Sequence, residues 1–142
     1  MSTGVGDTFR WKGENVATSE VNEAIASCPG IVDATTYGVE IPGADGRAGM
    51  AAVVVDDRFD VAEFQRHISR RLPAYARPLF LRIKDRIEVT ATFKHRKSDL
   101  AREGFDPGAS RDALYFDDPS QQAYVPLDHG LHARIRAGKV RL

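Results

Sequence analysis

The sequence predicts an α+β fold in which a small antiparallel or mixed sheet is flanked by helices. Two β-rich runs, residues 31–39 and 48–55, are separated by a glycine-rich connection and are expected to pair antiparallel. Residues 60–72 carry apolar side chains at intervals of three and four, which is the spacing of one helix face. A chain of 142 residues, of which 42% are hydrophobic, is long enough to bury the core of one domain.

The N-terminal part alternates aromatic and basic side chains over residues 8–12 and then meets Gly13. Alternation is typical of a strand, and the glycine predicts a bulge or a close backbone approach, so we expect a strand–bulge motif. Two interpretations remain open. The strand buries one face and exposes the other, or Gly13 lets a narrow ligand pass close to the backbone. A helix capped by Thr18 or Ser19 is expected to follow and to end near Ser27.

Two strands and a basic helix are predicted in the middle of the chain. Residues 79–83 and 87–90 are β-rich, and a short helix is expected over residues 93–103. Pro73 ends the helix that precedes them. The predicted core is therefore a small sheet covered by helices.

The composition changes after Gly104. Residues 105–108 read as a turn, and the apolar runs 114–116 and 123–126 are expected to form a hairpin. Asp128 can cap a last helix that ends near residue 137 and docks Leu131 and Ile135 inward. The C-terminal part is thus predicted to be a hairpin–helix extension.

Overall charge argues against binding to nucleic acid. Twenty basic and twenty acidic residues cancel, and the sequence pI is 6.9, so any anion binding must be local. A single cysteine, Cys28, excludes an internal disulfide and suits a reducing compartment. Apolar runs fall far short of the roughly 20 residues that span a bilayer. We expect a soluble cytoplasmic chain with no transmembrane segment, and any membrane association belongs to a full-length protein.

The start of the predicted helix at residues 93–103 carries an unusual concentration of cations. Thr92 can cap this helix, and its first turn holds Lys94, Arg96 and Lys97. The helix N-terminus is already positive, so each cation there is disfavoured by roughly 0.3 to 1 kcal/mol. One interpretation is a phosphate or carboxylate bound by the helix end and the cations together. The other is a solvated basic turn, since charge runs usually lie on the surface.

Other candidate chemistry has weaker support. Cys28 lies at a predicted helix end with no basic partner nearby in sequence, which favours a buried structural side chain over a nucleophile. His129 and His132 lack the further ligands of a defined metal site, so no metal site is predicted. A glycine series resembles a phosphate loop but lacks its lysine and hydroxyl, and a plain turn is favoured. That series is Gly43, Gly46 and Gly49.

Several long motifs resemble one known family. They are GDTFRWKGENVATSEV from Gly6, YGVEIPGADGRAGMAA from Tyr37, LPAYARPLFLRI from Leu72 and TATFKHRKSDLAREGFDP from Thr90, with the ending YVPLDHGLHARIRAGKVRL. Together they resemble the C-terminal domain of acyl-CoA synthetases in the adenylate-forming superfamily, specifically the fatty acid transport protein or very-long-chain branch. The resemblance covers nearly the whole chain after the first five residues.

The resemblance implies a two-step reaction in a full-length enzyme. A fatty acid and ATP, accompanied by magnesium, give an acyl-adenylate and pyrophosphate, and the CoA thiol then displaces AMP. The C-terminal domain rotates on the N-terminal adenylation domain between the steps, as a lid. By this resemblance residues 1–104 are the lid domain, and residues 105–142 are a family-specific extension packed on the same domain.

Roles for individual residues follow from motif order. Lys94 matches the lysine that acts in adenylation, which leaves Arg96 and Lys97 as surface or CoA-phosphate contacts. A second motif of the family borders the CoA channel, where a side chain at its glycine would obstruct the thiol. Its counterparts here are Trp11, Lys12, Gly13 and Glu14, and the hinge falls near Gly6 and Asp7.

The chain also departs from the family. Thr3 and Gly4 stand where an Asp-Arg pair usually precedes the hinge, and Ala91 replaces a common glycine near Lys94. The ATP loop, adenine site and acyl tunnel of the N-terminal domain are absent from the sequence. We therefore expect that the isolated chain holds no cofactor of its own and makes no acyl-CoA. A stand-alone regulatory or binding module that retains the lid fold is the alternative.

Overall fold

A computed structural model of the protein describes residues 8–11, 13–43, 46–84, 104–108, 113–118 and 121–139. The strands and helices are numbered here in chain order. They are β1 Thr8–Trp11, β2 Glu14–Ala17, α1 Thr18–Ala26, β3 Ile31–Glu40, β4 Arg47–Val55, α2 Val61–Arg71, a 3-10 turn Ala74–Ala76, β5 Phe80–Lys84, β6 Ala113–Asp118, β7 Ala123–Pro126 and α3 His129–Arg136.

Strands β3 to β7 form one mixed sheet in sequence order, and β1 and β2 form a separate two-stranded sheet. Strand β4 pairs in parallel with β5, and α2 connects the two strands; the other neighbours pair antiparallel. The α+β fold class is confirmed, as are the antiparallel pairing of the two β-rich runs and the C-terminal hairpin. The parallel pair makes the sheet mixed.

The two predicted helices with an aspartate cap are confirmed. Asp60 accepts a hydrogen bond from the backbone N–H of Ala62 at 2.8 Å, and Asp128 accepts one from Leu131 at 2.8 Å. The apolar face of α2 is buried through Phe64 and Ile68. An aspartate at this position satisfies backbone donors that the first helical turn leaves without partners.

The start of α1 differs from the prediction. Ala17 is the N-cap, with extended backbone and no side-chain cap, and Thr18 is already helical and buried. The reason is strand β2, which the sequence did not predict and which runs directly into the helix. The buried face of α1 is as expected, with Val21, Ala24 and Ile25 inward.

The sheet is covered on both faces. One face packs on α1 and α2; Phe64 of α2, for example, lies 5.6 Å from the ring of Tyr124. On the opposite face Phe105 stacks on Phe80, with ring centroids 4.4 Å apart, and His132 of α3 meets Phe105 edge-on. The division between residues 104 and 105 stays a prediction, although the extension shares its core with the rest of the sheet.

Two predicted elements, the strand at residues 87–90 and the basic helix at residues 93–103, lie outside the described residues. No helix within the described ranges is long and apolar enough to cross a bilayer.

Candidate functional site: the N-terminal hairpin

Gly13 lies in the turn of a β-hairpin. Strands β1 and β2 pair with Trp11 opposite Glu14, so the chain reverses between them. The φ of Gly13 is +83°, a left-handed conformation that glycine adopts without steric cost. A bulge was predicted here, and the structure shows a hairpin turn instead. The short segment 14–17 holds one buried apolar residue, Val16, which is too weak a pattern to predict a strand.

The turn is open to solvent. Apart from its chain neighbours, a Cβ built on Gly13 would meet no atom of the described residues within 4 Å, and both Gly13 and Glu14 are exposed. Trp11, by contrast, points into the core and is only 7% exposed. Of the predicted CoA-channel residues, the structure therefore brings Gly13 and Glu14 to the surface and keeps Trp11 as an anchor beneath them.

Strand β1 buries one face, as the first of the two interpretations predicts. Phe9 and Trp11 are buried, whereas Thr8 and Arg10 are exposed. This outcome does not exclude a ligand at the turn, because Gly13 lies beyond the buried pair. The hairpin thus has an apolar side that docks on the domain and an exposed tip.

Phe9 docks on a pair of glycines, Gly38 and Gly49, which face each other across β3 and β4. A Cβ added to Gly38 would lie 2.9 Å from the Cβ of Phe9, and one added to Gly49 would lie 3.0 Å from its Cζ. The ring therefore lies across both glycines. We call Gly38 and Gly49 the glycine seat.

A second contact joins the hairpin to the connection between β3 and β4. Trp11 forms an isolated antiparallel bridge with Gly46, and a Cβ on Gly46 would lie only 2.2 Å from the carbonyl oxygen of Arg10. Gly46 also has a positive φ of +78°. The plain-turn interpretation suits Gly43 and Gly46, but Gly49 lies inside β4, so the glycine series is not one loop.

Sequence reasoning missed Gly38 altogether. A signal was available, because Gly38 and Gly49 flank the predicted connection at equal distances and so fall opposite each other in a hairpin. The other predicted site residues, Gly6, Asp7, Lys12 and Lys94, lie outside the described part of the chain.

Cys28 is a buried structural residue, as predicted. Burial, with a smaller effect from Glu63, raises the pKa of its thiol and disfavours the reactive thiolate. In the described ranges no group of three or more His, Cys, Asp or Glu side chains could hold a metal ion.

One serine–histidine contact has the spacing of a nucleophile and its base. The Oγ of Ser27 lies 2.8 Å from Nε2 of His67. The same Nε2 lies 3.1 Å from the carbonyl oxygen of Ala24, to which Ser27 also donates at 2.8 Å. The histidine tautomer with its proton on Nε2 satisfies the Ala24 carbonyl and leaves this nitrogen unable to take a proton from serine. Both side chains contact the carbonyl of Ala24 in the last turn of α1, so their role is to stabilise the C-terminal end of this helix.

Comparison with known proteins gives a consistent result. The profile of the AMP-binding enzyme C-terminal domain family matches residues 20–94. Long-chain fatty acid transport protein 2 of Rattus norvegicus is 47% identical over 92% of this chain, and long-chain fatty acid transport protein 1 of Mus musculus is 46% identical over 96%. The chain spans only 22% and 21% of these relatives, respectively.

Solved structures share the fold. A mutant o-succinylbenzoate CoA synthetase from Bacillus subtilis gives a TM-score of 0.56 at 26% identity, covering 66% of this chain and 19% of that one. For the Mycobacterium tuberculosis fatty acyl CoA synthetase the TM-score is 0.60 at 24% identity, covering 70% and 20%. The chain therefore belongs to the AMP-binding enzyme C-terminal domain family, and its structural neighbours are acyl-CoA synthetases.

Proposed function

We propose that the chain is the C-terminal catalytic lid of a long- or very-long-chain fatty acyl-CoA ligase. In the first step an oxygen of the fatty acid carboxylate attacks the α-phosphorus of ATP and pyrophosphate leaves. In the second, the CoA thiol attacks the acyl carbon and AMP leaves. ATP, magnesium, CoA and the fatty acid are ligands of the full-length enzyme, and the N-terminal adenylation domain is the partner.

The observation that carries the proposal is the exposed Gly13 turn on a hairpin that is anchored from below. A chain as narrow as pantetheine needs a backbone without a side chain, and beyond the chain neighbours of Gly13 no described atom lies within 4 Å of a Cβ built there. The residues at the turn therefore fit a CoA channel. Similarity to long-chain fatty acid transport proteins over most of the chain supports the fatty acid as the acid substrate.

Lys94 is the proposed adenylation lysine. The family profile extends to this residue, which the resemblance assigns to the first step. Its ammonium would stabilise the negative charge that the carboxylate and the α-phosphate share as pyrophosphate leaves. A cytoplasmic location belongs to the same proposal, because a single unpaired cysteine suits a reducing compartment.

The first experiment joins this chain to an adenylation domain of the family and measures the two half-reactions separately. Adenylation is followed as pyrophosphate release from ATP and palmitate without CoA, and thioester formation as consumption of supplied palmitoyl-adenylate by CoA. Lys94→Ala should slow adenylation by about 100- to 1,000-fold, by analogy with removal of one transition-state donor. Thioester formation should be nearly unchanged.

Lys97→Ala is the matched control, since it removes the same charge three residues away. It should leave adenylation intact. If adenylation survives Lys94→Ala while thioester formation fails, the role given to Lys94 is wrong.

The second experiment targets the turn. Gly13→Leu in the same full-length ligase should suppress thioester formation and spare adenylation, because a side chain would enter the proposed thiol path. Gly43→Leu is the control for backbone strain, since Gly43 also has a positive φ of +82° and, among the described residues beyond its chain neighbours, no atom within 4 Å of a built Cβ. Equal losses for the two variants would remove the turn from the channel.

Acyl-CoA formation by the purified 142-residue chain tests the lid assignment itself. The chain, supplied with ATP, magnesium, CoA and palmitate, should give no product. Detectable product would contradict the assignment.

A further inference from the structure

The glycine seat has no conformational reason to consist of glycine. Positive φ values occur at other glycines in the described ranges, including Gly13, Gly43 and Gly46, but not at Gly38 or Gly49. Both lie inside strands, where glycine weakens the sheet and commonly marks a close approach of another group. The approaching group in both cases is Phe9. The space above these two positions, rather than their backbone geometry, explains the glycines.

The ring of Phe9 spans the seat from base to tip. Its Cβ and Cγ lie over Gly38, at 2.9 and 3.1 Å from a Cβ built there, and its Cζ lies over Gly49 at 3.0 Å. Phe9 is only 8% exposed. Each of these distances is shorter than an ordinary van der Waals contact. A methyl group at Gly38 therefore requires Phe9 to shift from its Cβ outward, and one at Gly49 requires the end of the ring to move by a few tenths of an ångström.

We propose that Phe9 is a positioning residue for thioester formation, because its ring on the glycine seat fixes where the hairpin holds Gly13. This inference rests on the function proposed for Gly13 above. Gly46 supplies the second fixed point, since its backbone meets Arg10 one residue after Phe9. These two contacts hold β1 at adjacent residues. They therefore fix the position of the turn beyond Trp11 relative to the main sheet.

The contacts predict different responses to a methyl group at Gly38 and at Gly49. A methyl group at Gly38 collides with the Cβ of Phe9, which every side chain except glycine keeps, and also lies 3.0 Å from the Cβ of Arg47. A methyl group at Gly49 collides with Cζ, which leucine lacks. Phe9→Leu should therefore relieve Gly49→Ala but not Gly38→Ala.

The first test is hydrogen exchange on the 142-residue chain, which needs no activity. Gly38→Ala and Gly49→Ala should each speed exchange of the β1–β2 amides by about tenfold or more, as expected for a locally weakened unit. Adding Phe9→Leu should recover protection in the Gly49 variant, up to the level of Phe9→Leu alone, and should give no recovery in the Gly38 variant. Gly130→Ala is the control, because a Cβ there makes only an ordinary 3.6 Å contact with Asp128. The proposed contact between Phe9 and the glycine seat is wrong if exchange of the β1–β2 amides is unchanged in both variants. It is also wrong if Phe9→Leu rescues both variants equally.

The second test measures both half-reactions in the full-length ligase. Gly38→Ala should slow thioester formation by about 10- to 100-fold, because misplacement by about 1 Å is enough for such losses. Adenylation should be unaffected, which a merely destabilising change would not achieve. Phe9→Leu alone should also slow thioester formation, because it removes the positioning ring. Added to Gly49→Ala it should raise the rate only to the level of Phe9→Leu alone, and added to Gly38→Ala it should give no recovery.

The two failures can be told apart. If exchange follows the prediction but both half-reactions fall together or neither changes, Phe9 is structural and the positioning role is overturned. If Gly13→Leu also leaves thioester formation intact, the proposed function of the turn fails with it. If Gly13→Leu blocks thioester formation, the function of the turn stands without the seat.

Discussion

Two of the β-hairpins in the described structure, β1–β2 and β6–β7, are held to the domain in different ways. The C-terminal hairpin, β6–β7, continues the main sheet, because β6 is hydrogen-bonded to β5 with Phe116 opposite Phe80. The N-terminal hairpin, β1–β2, is a separate two-stranded sheet that docks through the buried side chains of Phe9, Trp11 and Val16. One hairpin is part of the sheet, and the other rests on it.

This difference predicts how each hairpin responds to change. A strand inside the main sheet shares its hydrogen bonds and core with its neighbours, so damage there should spread to the whole domain. A docked hairpin depends on shape at a few contacts, and a single methyl group can shift it while the rest of the domain stays folded. The proposed functional turn lies on the hairpin that can be adjusted in this way.

The largest expected effect is from Phe116→Ala in the C-terminal hairpin. Phe116 is fully buried, and truncating a core phenylalanine costs about 3 to 5 kcal/mol. Urea unfolding of the 142-residue chain should show one transition at lower denaturant, followed equally by fluorescence and circular dichroism. A change under about 1 kcal/mol, or two separate transitions, would contradict a shared core.

Gly46→Ala should come next and should act on the N-terminal hairpin. The added Cβ meets the backbone oxygen of Arg10 at 2.2 Å, and φ is positive, so we expect a loss of about 2 kcal/mol or more. Exchange should rise first at the β1–β2 amides. Gly43→Ala has the same strain without the collision and should cost less. Equal losses would show that backbone conformation alone requires Gly46.

A smaller loss is expected when Tyr124→Phe removes one hydrogen bond of the C-terminal hairpin. The hydroxyl of Tyr124 donates to the carbonyl of Pro78 at 2.6 Å in a buried environment. Its loss should cost about 1 kcal/mol and act on global unfolding. Chemical denaturation measures it, and Tyr115→Phe, at a less buried ring of the same hairpin, serves as the comparison. A loss confined to exchange in β7 would place this hairpin nearer to the docked kind.

The smallest effect concerns pH and Asp117 of β6. Burial raises the pKa of the Asp117 carboxyl, against the opposing attraction of Arg77. A raised folded-state pKa means that its contribution to stability is present below the usual aspartate range and is lost as pH rises through the folded value. Asp117→Asn should therefore be more stable than the parent at neutral pH. The difference should vanish in acid, and a growing difference in acid would reverse the assigned direction.

Much of the fold could be predicted from local pattern. The α2 helix has its aspartate cap and an apolar face that repeats every three to four residues, and both survive in the structure because they need no distant partner. The predicted N-cap of α1 was wrong because the start of this helix depends on another element. Its start is decided by β2, a strand that exists because it pairs with β1.

The residues of the candidate site likewise differ in whether the local sequence could predict them. The glycine at position 13 predicted an unusual backbone conformation, and the positive φ of Gly13 confirms it. The local sequence offered no reason for Gly38, whose backbone is ordinary and whose explanation is a ring from another sheet. The proposed role of Lys94 stays a prediction, because that residue lies outside the described part of the chain.

By itself the sequence determined the α+β class, helices α2 and α3, the antiparallel pairs β3–β4 and β6–β7, and the family, since these depend on local periodicity, capping and long shared motifs. Only the tertiary structure decided that β4 and β5 are parallel, that the sheet separates from the hairpin, and that Phe9 rests on the glycine seat. These features join residues far apart in the chain. The free energy that stabilises these features comes from packing between elements, which the sequence of no single segment encodes.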